Sequence, residues 1–128
     1  MNTVQTLNKA QTLNGLLADL QSSSGDIEAC AVASEDGLII ASALPQGLEE
    51  TRVAAMSATM LSMGTRASNE LSRGDMSQIL IKGSNGFVVL MQAGPHAVLV
   101  AIARKDAKLG LIFYDLDRSA EAIGEVLA

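Results

Sequence analysis

Residues 27–42 read IEACAVASEDGLIIAS. Two apolar runs, Ile27–Ser34 and Leu38–Ser42, lie on either side of Glu35-Asp36-Gly37. Neither run has helical periodicity, and an Asp-Gly pair between two apolar runs is typical of a tight β-hairpin turn. Pro45 follows and interrupts any longer strand. The stretch therefore predicts two antiparallel strands joined by a short turn.

Helical periodicity flanks this hairpin. Residues from about 6–22, 48–73 and 107–127 carry apolar side chains three or four positions apart, which favours three amphipathic helices. In the first helix the apolar stripe contains Ala10, Leu13, Leu16, Leu17 and Leu20. In the last helix it contains Leu109, Ile112, Phe113, Leu116, Ala120, Ile123 and Leu127.

Three further strands are predicted between the second and third helices, at Met76–Lys82, Phe87–Ala93 and Ala97–Ala103. The connections between them are short and contain glycine, so neighbouring strands run antiparallel. The element order is α-β-β-α-β-β-β-α. It predicts an α/β fold (an α+β sandwich), in which one five-stranded, mainly antiparallel sheet has helices on both faces. We expect a single domain over 1–128, with its core at about 8–127.

Composition excludes several classes of function. The chain has 128 residues, no tryptophan, 2% aromatic residues and a net charge of −5. These values disfavour base stacking and broad binding to nucleic acid or anionic lipid. No apolar run approaches a membrane span, and Met1–Gln5 lacks the basic start of a secretory leader. We therefore expect a cytoplasmic protein without membrane insertion.

Candidate catalytic groups are few. The single cysteine, Cys30, lies in an alanine-rich strand with no base nearby, which favours a buried structural role. The single histidine, His96, lies in a Gly-Pro-His turn, and Gly83-x-x-Gly86 lacks the lysine and hydroxyl of a phosphate-binding loop. The carboxylate pairs form no convincing acid–base dyad or metal cage. We therefore predict no catalytic residue, no cofactor, no metal and no enzyme activity.

The long central helix has two rows of apolar or small side chains. The first row contains Val53, Met56, Met60, Met63 and Ala67. The second row contains Ala54, Ala58, Leu61, Thr65 and Ser68. A helix in a monomer needs one such row for its own core, and a row of small residues lets another helix approach closely. We therefore expect one row to face a partner, although the pattern leaves open which row does so.

The whole pattern resembles the Roadblock family, which includes dynein light-chain domains and bacterial GTPase regulators. The resemblance begins with Leu13-x-x-Leu16-Leu17-x-x-Leu20 and the hairpin of residues 27–42. It continues through the alanine-rich helix and the three strands to the helix that begins at Leu109-Gly110, over about 8–127. It implies a Roadblock-like fold of the profilin-like type.

The resemblance also implies a homodimer. Members pair their long helices and join their third strands edge to edge, so that two five-stranded sheets become one. On this chain the implied dimer contacts are Ala54, Ala58, Leu61, Thr65, Ser68, Gln78, Ile79, Leu80 and Ile81. Such pairing would also cover an apolar edge that is otherwise prone to aggregation.

The resemblance finally implies a Ras-like small GTPase as partner. In the MglB type, the long-helix surface presses on the GTPase and stimulates hydrolysis by reorganising the GTPase's own catalytic residues, so the family supplies no catalytic residue to this chain. The candidate partner contacts are Arg52, Met56, Met60, Met63 and Arg66. Two alternatives stay open: a small-molecule-sensing α/β domain, or a structural subunit of a motor or scaffold complex.

Overall fold

The computed structural model describes the backbone of residues 3–128 and the side chains of residues 8–128. The side chains of Met1–Gln5, on which the leader interpretation rests, lie outside this range. The elements are α1 (Thr3–Ser23), β1 (Ile27–Ser34), β2 (Ile39–Ala43), α2 (Glu50–Glu70), β3 (Gln78–Gly83), β4 (Gly86–Gln92), β5 (Ala97–Arg104) and α3 (Leu109–Leu127). This is the predicted element order, and the predicted fold class is confirmed.

The five strands form one sheet in the order β2-β1-β5-β4-β3, with every neighbouring pair antiparallel. The predicted Asp-Gly turn joins β1 to β2. Its Gly37 has φ of 86°, a left-handed conformation that glycine adopts without steric cost. The Ser34 N–H donates to the Leu38 carbonyl at 2.8 Å and closes the turn. The strand pairing leaves β2 and β3 as the two edges of the sheet.

The helices cover the two faces of the sheet unequally. On one face, α1 and α3 pack side by side over a large core that includes Leu17, Leu116 and the β1 residues Cys30 and Val32. On the other face α2 packs alone against a smaller cluster, which includes the intervening β1 residues. Successive strand residues point to opposite faces, so β1 serves both cores and is buried on both sides.

The end of α2 differs from the predicted one. The helix was expected to continue to Arg73, but it ends at Glu70 with Leu71 as its C-cap. Ser72 has φ of 58°, and the Arg73 N–H donates to the Ser68 carbonyl at 2.7 Å, as in a Schellman motif. A left-handed serine therefore stops the helix, two residues before the glycine that the sequence pattern indicated.

Candidate interaction surface on the third strand and second helix

The side of α2 that faces the sheet consists of Val53, Ala54, Ser57 and Leu61, all buried. It coincides with neither predicted row. It takes Val53 from the first row, Ala54 and Leu61 from the second, and Ser57 from neither. The physical reason is that a helix on a sheet buries a stripe at least about 100° wide, which is broader than a single row of side chains.

This packing corrects part of the predicted dimer interface. Ala54 is 0% exposed and Leu61 is 8% exposed, because the sheet of their own chain covers both. Assigning these two residues as contacts for a partner helix was therefore wrong. Ala58 and Ser68 are half-buried and Thr65 is exposed. Contact between these three residues and a partner helix stays a prediction.

A groove of about 710 Å³ runs beside the small-residue side of α2. Its helix wall includes Ala58, Ser62 and Thr65, and its opposite wall includes Glu35 and Pro95 from the turns at one end of the sheet. The groove is open, and Ser57 is the only buried polar side chain among the described residues. A small-molecule site is usually an apolar pocket with a few convergent polar groups, so the groove does not favour the sensing alternative.

The methionine row lies on the other side of α2 from this groove, by the angular spacing of a helix. Met56 is 50% exposed and Met63 is 59% exposed. Met60 lies between them and is half-buried, packed at the margin of the smaller core cluster. Methionine side chains are unbranched and adaptable, and they recur at surfaces that bind partners. We call Met56, Met60 and Met63 the methionine row.

The edge strand β3 carries further exposed apolar side chains. Leu80 is 43% exposed and Ile81 is 40% exposed, whereas Gln78 is exposed and polar. Ile79 is half-buried and packs with the smaller core cluster. We call Gln78–Ile81, together with the backbone groups on their outer side, the open edge. Each of the four predicted edge residues therefore lies on a free border of the sheet.

A glycine sets how closely α2 approaches the open edge. A Cβ added at Gly64 would lie 2.7 Å from Ile79 Cδ1. The absence of a side chain at Gly64 therefore lets Ile79 pack against the helix backbone. Sequence reasoning missed Gly64, although a glycine in the interior of a long helix is a usable signal of close packing.

The two predicted arginine contacts lie on the outer surface of α2. Arg52 and Arg66 are both exposed. The guanidinium of Arg66 lies 3.5 Å from the Glu70 carboxylate, one helical turn away. Such an exposed pair contributes at most about 1 kcal/mol and leaves the arginine available to a partner.

A family model described as the Roadblock/LC7 domain matches residues 13–103. The chain belongs to the Roadblock/LC7 family. A relative from Methanocaldococcus jannaschii, the uncharacterized protein MJ1340, is 32% identical over 111 residues, which cover 87% of this chain and 96% of that protein. The recognition made from the sequence is confirmed.

Solved structures share the fold of this Roadblock/LC7 chain. The gliding protein MglB from Thermus thermophilus superposes with a TM-score of 0.83 at 17% identity, over 92% of this chain and 90% of that one. Profilin II from Acanthamoeba castellanii superposes with a TM-score of 0.65 at 14% identity, over 88% of this chain and 98% of that one. The predicted Roadblock-like, profilin-like architecture is therefore confirmed as a fold.

The single thiol of this Roadblock/LC7 chain is enclosed in the core. Cys30 is buried under α1, and its Sγ lies 3.7 Å from the Leu17 carbonyl oxygen. Burial raises the pKa of Cys30 from 9.0 to about 11, because the apolar core disfavours the thiolate. The thiol is therefore protonated at neutral pH, as its predicted structural role requires.

The single histidine joins two turns. His96 Nδ1 lies 2.9 Å from Glu35 Oε1, and the Glu35 N–H donates to the His96 carbonyl at 2.9 Å. These contacts tie the β1–β2 turn to the β4–β5 turn at the mouth of the groove. Residues 8–128 hold no group of three potential metal ligands of the His, Cys, Asp or Glu type. None of the described helices is long and apolar enough to cross a membrane.

Proposed function

We propose that this chain is a non-catalytic regulator that forms a homodimer and binds a Ras-like small GTPase in the cytoplasm. One observation carries the proposal: a member of the Roadblock/LC7 family has an exposed apolar surface made of its open edge and its methionine row. The first of these surfaces suits a second copy of the chain. The second lies on the helix that would face the GTPase.

The homodimer is supported by the chemistry of the open edge. An edge strand with unpaired backbone groups and exposed apolar side chains is a liability unless another strand covers it. Charged side chains usually protect such an edge, yet Ile79, Leu80 and Ile81 are all apolar and only Lys82 follows them. Pairing with a second copy removes these side chains from water and satisfies the free backbone groups.

GTPase binding is supported by family membership together with the outer surface of α2. The methionine row offers an adaptable apolar contact, and Arg52 and Arg66 offer exposed cations beside it. Stimulated hydrolysis would require this surface to reorganise catalytic residues that belong to the GTPase. In this proposal the chain supplies contacts and no catalytic group of its own.

The first experiment is a mass measurement followed by a binding assay. Light scattering on the purified chain should give twice 13.3 kDa across a concentration series. A purified Ras-like GTPase from the same genome, loaded with a GTP analogue, should then bind the dimer in calorimetry, and phosphate release from GTP should accelerate. A stable monomer contradicts the homodimer. A dimer that binds no such GTPase in either nucleotide state contradicts the GTPase assignment.

Charge reversal on α2 tests the surface itself. The double variant Arg52→Glu, Arg66→Glu should weaken GTPase binding about tenfold or more, because two negative charges would face the partner where two positive charges stood. The matched control is Arg118→Glu, an exposed arginine of α3 on the other face of the sheet. The control should bind the GTPase as the natural chain does. Equal losses in both proteins would contradict a specific contact at α2.

A further inference from the structure

The free backbone groups of β3 occur at alternate residues. In the pairing of β3 with β4, Ser77 lies next in register, opposite Gln92, and the Gln92 N–H donates to the Ser77 carbonyl at 3.3 Å. Antiparallel strands alternate between residues that exchange such bonds and residues whose groups point away. The N–H and C=O groups of Gln78, Leu80 and Lys82 therefore point towards the free side of β3.

The side chains of the same strand divide between the two faces of the sheet. Ile79 packs with the cluster under α2, and Ile81 has the same orientation because strand side chains alternate. Leu80 lies opposite Val89, a residue of the core beneath α1 and α3, and therefore points to that other face. A strand added at the free side of β3 must therefore match two alternations at once: which residues direct their backbone groups outward, and which face of the sheet each side chain occupies.

We infer that two copies of this chain pair antiparallel along β3 with the two-fold axis at Leu80. The inference rests on the homodimer of the proposed function and deepens it by giving the register. In this register Leu80 faces the partner's Leu80 and exchanges backbone bonds with it. Gln78 likewise faces the partner's Lys82, and Ile79 faces the partner's Ile81.

A second copy in this register uses every free backbone position of the strand. Gln78 and Lys82 each lie two positions from Leu80. With the axis at Leu80, every residue whose backbone groups point outward therefore lies opposite another such residue of the partner. An axis at Ile79 would instead place Lys82 opposite the partner's Met76, which precedes the strand. An axis at Ile81 would place Gln78 opposite the partner's Ser84, in the β3–β4 turn.

The side chains agree with the same register. Leu80 meets the partner's Leu80 on one face of the sheet, and Ile81 meets the partner's Ile79 on the other. The two most exposed apolar residues of β3, Leu80 and Ile81, are therefore both covered. The one polar pair joins an amide to an ammonium, and the Gln78 amide oxygen can accept from the partner's Lys82. No like charges face each other, which the pairing of strands requires.

Cysteine crosslinking distinguishes the three registers. Residues that exchange backbone bonds have Cα atoms about 5.5 Å apart and the alternate pairs about 4.5 Å, both within the range of a disulfide. Diagonal neighbours lie about 7–8 Å apart and fall outside it. The variants Ile79→Cys, Leu80→Cys and Ile81→Cys are prepared separately and oxidised mildly. Cys30 can stay in place because it is buried, and the natural chain serves as the control.

We expect Leu80→Cys to form a covalent dimer by itself. Ile79→Cys and Ile81→Cys should each stay largely uncrosslinked, but an equimolar mixture of the two should form the mixed dimer. This second result supports the register even where Leu80→Cys folds poorly. Self-crosslinking of Ile79→Cys, or of Ile81→Cys, would overturn the register in favour of an axis at that residue.

The experiment also separates this inference from the proposed function. Light scattering on each reduced variant reports whether a dimer is present before oxidation. A dimer in which neither Leu80→Cys nor the mixture crosslinks would overturn the Leu80 register while leaving the homodimer in place. A monomer in the natural chain would overturn both.

Discussion

The two edges of the sheet, β2 and β3, differ in how the helices cover them. β2 lies against both α1 and α2, and the Ser42 hydroxyl donates to the Glu50 carboxylate at 2.7 Å, which ties the strand to the start of α2. Its residues are buried or half-buried. β3 has its main contacts with β4 alone, and five of its six residues are exposed.

A position at the edge of the sheet therefore does not by itself leave a strand available to a partner. β2 is short, held between two helices and followed by Pro45, so its free side is poorly suited to another strand. β3 lacks that cover, and its side chains Leu80 and Ile81 stay exposed. The open edge is therefore the border on which the proposed homodimer depends.

The largest expected effect comes from a charge placed on the open edge. Ile81→Lys should weaken the dimer on the order of 100-fold or more, because pairing would bury an unpaired ammonium. Light scattering should then give 13.3 kDa at concentrations where the natural chain gives twice that mass. Circular dichroism should show an unchanged fold, since Ile81 is 40% exposed in the monomer.

The matched control applies the same change to β2 (Ile39–Ala43), the edge strand that α1 and α2 cover and that we call the covered edge. Ile40 of β2 is half-buried and packs against the larger core. Ile40→Lys should therefore lower the melting temperature and leave the dimer fraction of the folded protein unchanged. The opposite pattern, with dissociation at Ile40→Lys and an intact dimer at Ile81→Lys, would reverse the assignment of the two edges.

The next effect is a pH dependence of the unfolding free energy that arises from Cys30. This residue of β1 lies beside the covered edge and pairs with Ala43 of β2. Its pKa is raised from 9.0 to about 11 in the folded chain, so folding favours the protonated thiol. This stabilisation is complete below about pH 9 and is lost as the pH rises towards 11. Across that window, Cys30→Ala should lose less unfolding free energy than the natural chain, by up to about 3 kcal/mol.

Urea unfolding measured at several pH values checks this difference. At pH 8, the natural thiol should react with a thiol reagent only as fast as the protein opens. The Ile40→Lys variant should react faster because it loosens the covered edge. Fast labelling of the natural chain at pH 8 would contradict the closed state of this edge.

Gly64 gives a smaller effect, and it acts on the open edge. Gly64→Val places a branched side chain against Ile79 and should cost about 1–3 kcal/mol of unfolding free energy by overpacking. It should also weaken the dimer, because Ile79 must move. Gly15→Val, in α1 with open space around the glycine, is the control for the change of helix propensity. Equal destabilisation of the two variants by urea unfolding would contradict the packing role of Gly64.

The smallest effect concerns the end of α2, which leads the chain towards the open edge. Ser72→Gly should raise the unfolding free energy by roughly 1 kcal/mol, because glycine adopts the left-handed conformation without steric cost. Ser72→Ala should not stabilise the protein. Thermal unfolding of both variants checks the sign, and stabilisation by alanine would contradict the strained-backbone account.

Much of the fold could be predicted from local patterns. The Asp36-Gly37 turn fixed the first hairpin, and the short glycine-bearing connections fixed the antiparallel strands that follow. The apolar stripes of α1 and α3 became the core beneath those helices. These predictions succeeded because turn geometry and side-chain periodicity depend on neighbours in the sequence.

The candidate site was predicted less completely. The resemblance to the family implied an edge role for β3, whereas the helical pattern left open whether Met56 and Met63 face a partner. Ala54 and Leu61 were assigned to a partner although they face their own sheet. Gly64 was missed. Helical periodicity gives the angle between two side chains, but it does not give the direction in which the sheet lies.

The sequence by itself therefore determined the helices and strands, their order and the family. The helices and strands depend on short-range patterns, and the family is recognised from the succession of those patterns along the chain. Only the tertiary structure decided which side of α2 is buried and which edge of the sheet stays open. Those properties depend on where α2 crosses the sheet and on which strand the helices leave uncovered. Both follow from contacts between different elements, such as Gly64 of α2 with Ile79 of β3 and Ser42 of β2 with Glu50 of α2.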